Sequence, residues 1–134
     1  MKPIVRSIAE AIQIDTEWRE IHPDPPLEVS RQIQRISIEV PNVADWNLRP
    51  ESASFVMPDG TSIKVEVELI AADGKQFALD SVGLGPGLTF SRLPPEAGDV
   101  GSRFPEDMQF TTVRVRSDKP LNGGRVTWIC ITNF

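Results

Sequence analysis

Cysteine, histidine and tyrosine are almost absent from this sequence. Cys130 and His22 are the only residues of their types, and there is no tyrosine. These counts exclude an internal disulfide framework, a Cys/His zinc site and an iron–sulfur cluster. A Ser-His-Asp or Cys-His catalytic arrangement would need His22 as its base. His22 stands in a stiff proline-rich stretch that ends at Pro26, so we predict a loop histidine, and Cys130 is predicted to be a small buried hydrophobe.

Long apolar runs and an excess of positive charge are also missing. No apolar run is long enough for a membrane-spanning helix, and the N-terminal residues lack the apolar segment of a signal peptide. The formal net charge of −5 does not suit a protein that binds a phosphate backbone. We therefore expect neither nucleic acid nor a membrane as a partner. The sequence as given predicts a cytoplasmic protein, or a secreted one if a signal peptide has been removed.

The chain is short and rich in residues that break helices. Its 134 residues suit one domain that can bury an ordinary core. Its 12 prolines are nearly double the usual share of about 5%. Prolines spread along the whole chain exclude a helical bundle or a coiled coil.

Two hydrophobic periods meet in the N-terminal segment, residues 1–26. Apolar residues from Ile4 to Ile12 have helical spacing, and from Ile12 to Trp18 apolar and polar residues alternate. We predict a short helix leading into a strand, with one continuous strand as the alternative. A proline-rich connector ends the segment at residue 26.

Alternation with a period of two dominates the rest of the chain. Residues 52–82 contain the clearest strand and two turn signals, at Pro58-Asp59-Gly60 and Asp73-Gly74, and predict an antiparallel meander. Residues 83–109 form a long Gly/Pro-rich loop region in which only Leu88 to Ser91 looks like a strand. Two strong strands close the chain, with Asn122-Gly123-Gly124 as the turn between them.

These patterns predict an all-β fold, an antiparallel β-sandwich of jelly-roll type over residues 1–134 with about seven to nine short strands. The stretch from Phe110 to Leu121, followed by Arg125 to Ile129, resembles the closing strands of galactose-binding-like jelly rolls. The resemblance consists of strand alternation and a turn and includes no ligand-binding motif. It implies the jelly-roll fold and, as an alternative function, carbohydrate recognition.

Two groups of residues are candidates for ligand binding. Trp46 is flanked by Asp45 and Asn47, and a flat ring beside an amide and a carboxylate suits a sugar. A place in the core is the alternative for Trp46. Of the other tryptophans, Trp128 is predicted in the core, and Trp18 in the core or at its rim.

Arg114 and Arg116 project from one face of a predicted strand, with Arg125 expected across the hairpin. Such a row of arginines could grip carboxylates or an acidic partner. Cross-strand pairing of the same side chains with Glu66 and Glu68 is the alternative.

Three loop carboxylates are the candidates for a metal site. Asp99, Glu106 and Asp107 could hold a hard cation such as calcium, which prefers several oxygen ligands. Ordinary solvated loop carboxylates are the alternative, and no cofactor is predicted. The glycine-rich run Gly83–Gly87 lacks the Lys-Ser/Thr and the helix of a phosphate-binding loop.

The absence of a catalytic set makes a non-catalytic binding module our first functional hypothesis. Its partner would be another protein or further copies of the same chain, with the 83–109 loop region dominating recognition. Carbohydrate recognition is the alternative. An enzyme with carboxylate- or metal-assisted hydrolysis comes third.

Overall fold

The protein is an all-β sandwich of two antiparallel sheets, as the sequence predicts. The structure is a computed structural model, and it describes residues 4–29, 33–40, 46–82, 87–92, 104 and 108–131. The β1 sheet contains, from edge to edge, β1 (Ile4–Ile14), β12 (Leu121–Ile131), β4 (Ile33–Glu39), β10 (Leu88–Ser91) and β9 (Asp80–Ser81). The β7 sheet contains β2 (Arg19–Ile21), β11 (Gln109–Ser117), β7 (Ser62–Ala71), β6 (Ser54–Val56) and β5 (Asn47–Arg49).

Two short strands and one helical turn complete the β7 sheet. β3 (Leu27–Glu28) pairs with β11, and β8 (Gln76–Ala78) pairs with β7. A short 3₁₀ helix, Pro50–Ser52, precedes β6. Within the described ranges this makes twelve strands, more than the seven to nine expected, because the predicted strand of residues 76–82 is divided into β8 and β9 and short strands such as β3 were not predicted.

The longer strands alternate between the sheets along the chain, as in a jelly roll. β1 and β4 lie in one sheet with β10 and β12, whereas β2, β7 and β11 lie in the other. The hydrophobic core lies between the sheets, and β7 contributes every second residue to it: Ile63, Val65, Val67 and Leu69 are each at most 2% exposed. Cys130 and Trp128 are also buried there, as predicted.

The N-terminal helix is absent, and this prediction was wrong. Residues 4–14 form the edge strand β1, whose register with β12 shifts between Ser7 and Ala9 and again before Ile12. At a β-bulge two residues of one strand oppose one of its partner, so the inward positions are no longer spaced by two. Repeated bulges therefore produced the apolar spacing that resembles a helix.

The closing hairpin was also predicted wrongly. Gly123 and Gly124 lie inside β12, and residues 118–120 connect β11 to β12 across the two sheets. A Cβ on Gly124 would lie 3.1 Å from Ile14 Cδ1, so this glycine allows β1 to pack closely against β12. Arg125 consequently lies in the β1 sheet, where its Nε is 3.6 Å from Glu10 Oε1, and not beside Arg114.

The meander over residues 52–82 is only partly present. β6, β7 and β8 are antiparallel neighbours, but β9 leaves for the other sheet, where it pairs with β10. β10 covers Leu88–Ser91, the stretch predicted to be a strand. None of the described residues forms a helix with the length and hydropathy that a membrane crossing requires.

Candidate binding surface

The two candidate arginines face carboxylates on the neighbouring strand. Arg114 is paired in register with Glu68, and Arg116 with Glu66. Nη2 of Arg114 lies 2.9 Å from Oε1 of Glu68, and Nε of Arg116 is in contact with Oε2 of Glu66. The cross-strand pairing that the sequence left as an alternative is therefore the arrangement in the fold.

The two ion pairs differ in their exposure to solvent. The side chains of Arg114 and Glu68 are 20% and 22% exposed, whereas those of Arg116 and Glu66 are 41% and 46% exposed. In the first pair Arg114 Nη2 is close to Glu68 Oε1 but is not aligned for a hydrogen bond. Glu68 Oε1 accordingly has no hydrogen-bond partner within the described part of the chain. The Arg114–Glu68 contact is therefore a partly shielded ion pair.

Both guanidinium groups also lie over the indole ring of Trp18, in the connection between β1 and β2. The Cζ atom of Arg114 is 4.4 Å from the ring centroid, and that of Arg116 is 4.3 Å from it. A cation over the face of an indole is attracted by the ring's quadrupole. Trp18 is half-buried, at the rim of the fold rather than in its core. We call Trp18 and the two ion pairs the Trp18 cluster.

An open groove of about 510 Å³ adjoins the Trp18 cluster along one edge of β7. Trp18 and Arg116 stand at its outer rim, and the buried side chain of Phe90 lies at its floor. Its two lips are residues 51–53 and residues 78–81. We call this groove the β7 notch.

The β7 notch exists because two different strands share one edge of β7. β6 pairs with residues 62–64 and β8 with residues 68–70, and single hydrogen bonds from Val65 N to Ala53 O and from Leu79 N to Val67 O extend the two pairings toward each other. At the β6 end Ala53 adopts a left-handed conformation (φ 53°): its O still accepts from Val65 N, but its N–H donates to Pro50 O, and the chain turns away from β7 into the 3₁₀ helix. At the other end Leu79 N donates to Val67 O, and the chain then departs to the β1 sheet.

Carboxylates outnumber cations among the side chains that line the β7 notch. Its carboxylates are those of Glu51, Glu66, Glu68 and Asp80, and its cations are those of Lys64 and Arg116. Two of the carboxylates take part in the ion pairs of the Trp18 cluster. Glu51 and Asp80 stand on opposite lips and have no ion-pair partner in the described ranges.

Trp46 and Asn47 are not part of this surface. Asn47 is exposed on β5, which is separated from β11 by β6 and β7. The half-buried ring of Trp46 packs edge-on against Phe55, with ring centroids 6.1 Å apart. Asp45 lies outside the described residues.

The candidate metal ligands Asp99, Glu106 and Asp107 also lie outside the described residues. Within the described ranges, no group of three or more His, Cys, Asp or Glu side chains could hold a metal ion.

His22 follows β2 and has contacts on both sides of its ring. Its Nδ1 is 3.3 Å from Thr112 Oγ1, and its Nε2 is 3.7 Å from Glu20 Oε1. This order of hydroxyl, imidazole and carboxylate is the order in a hydrolase triad. However, Thr112 is only 9% exposed, whereas the His22 side chain is 66% exposed. A buried hydroxyl beside a solvated imidazole does not provide the enclosed site that acyl transfer requires.

The sequence did not single out Trp18 or the β7 notch as functional. The rim position that the sequence left open for Trp18 agrees with its charged neighbours, Glu17, Arg19 and Glu20, but no motif marked it as a binding residue. The β7 notch was hidden because residues 52–82 were predicted to form one uninterrupted meander, whereas it depends on the breaks at Ala53 and Leu79.

Comparison with known proteins identifies no relative from which a function could be inferred, so any functional argument rests on the surface itself. No family model, no curated protein and no solved structure matches this chain.

Proposed function

We propose that this protein is a non-catalytic binding module that recognises a protein partner through the Trp18 cluster and the β7 notch. The observation that carries the proposal is the indole of Trp18, held at the rim of an open groove by two guanidinium groups. Tryptophan and arginine are the side chains that most often dominate the binding energy of protein interfaces.

The ion pairs prepare this surface for binding. Long side chains normally lose conformational entropy when a partner immobilises them. Arg114 and Arg116 are already held by the Trp18 ring and by Glu68 and Glu66. Part of their conformational entropy is therefore lost when the chain folds, and that part does not oppose binding. Donors of both guanidinium groups that do not face the glutamates can then bind a partner's carbonyl or carboxylate oxygens.

The size and depth of the β7 notch support the same function. A volume of about 510 Å³ falls within the usual range for ligand pockets, roughly 300–1,000 Å³. The notch extends from Trp18 on the outer face to Phe90 between the sheets. A partner side chain can therefore enter it while the partner's backbone stays on the surface.

The loop region of residues 83–109 remains a predicted part of the recognition surface. Phe90, which lies in this region, forms the floor of the notch. Most of the region lies outside the described residues. β10 and Phe104 belong to the core, so a replacement of the whole region would remove core residues as well. Replacement of residues 93–103 alone by a Gly/Ser link is expected to abolish partner binding while the sandwich still unfolds cooperatively.

A display screen of random peptides against the immobilised protein tests the proposal. We expect selected peptides to bind the wild-type chain and to lose at least about tenfold in affinity for Trp18→Ala, as hot-spot residues do. Trp46→Ala is the matched control, because it removes another half-buried tryptophan, which packs on the same sheet through Phe55. It should leave the affinity unchanged.

Two results would contradict the proposal. One is a set of selected peptides that bind Trp18→Ala and wild type equally well. The other is an unproductive peptide screen together with a glycan-array signal that depends on Trp46, which would favour carbohydrate recognition. Thermal unfolding of both variants confirms that any loss of binding is not a loss of folding.

Self-assembly through β1 is the second candidate. Val5 is 62% exposed and Ile4 39% exposed, and β1 is an edge strand of the β1 sheet within the described ranges. Residues 4–7 pair regularly with β12, whereas bulges interrupt the rest of β1 and discourage edge-to-edge pairing there. Sedimentation equilibrium tests this candidate: a dimer that Val5→Lys converts to monomer would support it, and a wild-type monomer would exclude it.

A further inference from the structure

We infer that the partner segment recognised by the β7 notch is basic and places a lysine or arginine side chain between the two lips. This inference rests on the proposed function and adds the chemical class of the ligand. It depends on three features of the notch: its opposed carboxylates, its apolar floor and the prior pairing of its arginine.

The opposed carboxylates are those of Glu51 and Asp80. Glu51 lies in the 3₁₀ helix on one lip, and Asp80 lies in β9 on the other. Both residues are exposed, and the described part of the chain provides no ion-pair partner for either. A cation placed between the lips would be attracted by both groups at once.

The floor of the notch is apolar and suits the stem of a long side chain. Phe90 is 1% exposed and Leu79 is half-buried, and both line the groove. Lysine and arginine bury their methylene groups on such surfaces while the charged head stays in contact with polar groups. An aspartate or glutamate is too short to use the floor and would be repelled by the lips.

The cations of the notch do not cancel this preference. Arg116 is already paired with Glu66, which leaves Lys64 against Glu51 and Asp80. The chain as a whole has a net charge of −5, which also favours the approach of a basic partner. The unpaired side chains of the notch therefore select a positive ligand.

Nuclear magnetic resonance titration of the full chain with three matched peptides tests the inference. The peptides are short Gly/Ser segments that differ at one central residue, which is lysine, norleucine or glutamate. Norleucine has a lysine-like stem without the charge. We expect the lysine peptide to shift the amide signals of residues 51–53 and 78–81, and the glutamate peptide to leave them unchanged.

Variants of the lips complete the test. Glu51→Gln and Asp80→Asn should each weaken binding of the lysine peptide about two- to fivefold, the range of an exposed ion pair. Glu28→Gln is the control, since it neutralises an exposed carboxylate on β3 and should have no effect. The norleucine peptide should bind more weakly than the lysine peptide and should not respond to either lip variant.

The outcomes separate this inference from the proposed function. Equal binding of the lysine and norleucine peptides, or no effect of the lip variants, would overturn the basic ligand. The proposed function would still stand if peptides from the display screen depended on Trp18. Lysine-peptide shifts confined to residues outside the notch would also overturn the inference.

Discussion

The guanidinium carbon of Arg116 lies 4.3 Å from the centre of the Trp18 ring, although the two residues are far apart in the sequence. Trp18 belongs to the connection between β1 and β2, and Arg116 belongs to β11. The contact therefore fixes the point where the chain passes from the β1 sheet to the β7 sheet. It also places an indole at the rim of the β7 notch.

Removal of the Trp18 ring should destabilise the fold moderately. The ring contacts two cations and is half-buried, so Trp18→Ala is expected to lower the free energy of unfolding by about 1–2 kcal/mol. Trp18→Phe should lose less, because phenylalanine retains an aromatic face. Urea unfolding followed by circular dichroism measures both changes. An unchanged midpoint for Trp18→Ala would show that these contacts contribute nothing to stability.

The two ion pairs should differ in strength. Arg114 and Glu68 are more shielded from water than Arg116 and Glu66, so their attraction is screened less. In double-mutant cycles with alanine, the coupling energy of the first pair should lie near the upper end of the range of about 0.2–1 kcal/mol. The second pair should lie near the lower end and should lose most of its coupling in 1 M salt, where the Debye length is about 3 Å. The reverse order would contradict the role given to shielding.

A glycine before β10 should tolerate no side chain. Gly87 has φ +67°, and a Cβ there would lie 2.2 Å from the carbonyl oxygen of Ile38 on β4. We expect Gly87→Ala to destabilise the protein by at least about 3 kcal/mol, because β10 must then move away from β4.

Gly74 provides the matched control for this prediction. It has φ +91°, but a Cβ added there would have no neighbouring atom within 4 Å, so Gly74→Ala involves only backbone strain of about 1–2 kcal/mol. Thermal or urea unfolding of both variants makes the comparison. Equal losses at the two glycines would show that contact with Ile38 is not decisive.

The turn between β6 and β7 should make stability depend on pH in the acid range. The backbone N–H of Thr61 donates to Oδ1 of Asp59 at 2.9 Å, and this hydrogen bond lowers the pKa of the Asp59 carboxyl. A lowered folded-state pKa means that the unfolded chain takes up the proton first as the pH falls. The contribution of Asp59 is therefore complete above about pH 4 and is lost below it.

Asp59→Asn tests this assignment. Asparagine can still accept the hydrogen bond from Thr61 but does not titrate. The difference in unfolding free energy between wild type and variant should shrink as the pH falls below about 4. A difference that stays constant between neutral and acid pH would contradict the assignment.

The fold class followed from the sequence because alternation is a local property. The alternating residues 61–69 form most of β7, and Leu88–Ser91 form β10 within the long loop region, both as predicted. The helix at the N-terminus was predicted wrongly because bulges in β1 depend on its register with β12. Register is set by a distant strand and is invisible in a local window.

The candidate surface was predictable only in part. The alternation of Arg114 and Arg116 with apolar residues placed them on one face and suggested Glu66 and Glu68 as partners. Trp18 joins them only because β2 pairs with β11. The β7 notch requires β8 and β9 to separate into different sheets at Leu79, and nothing in the alternation of residues 76–82 indicates that separation.

The most direct test of the account is hydrogen–deuterium exchange of the full chain with and without a peptide selected by display. Amide exchange should slow around Trp18, at residues 51–53 and at residues 78–81, which surround the β7 notch. The same experiment on Trp18→Ala should show no protection at these sites. Protection confined to β1, or spread evenly over both sheets, would contradict the assignment of the Trp18 cluster and the β7 notch as the binding surface.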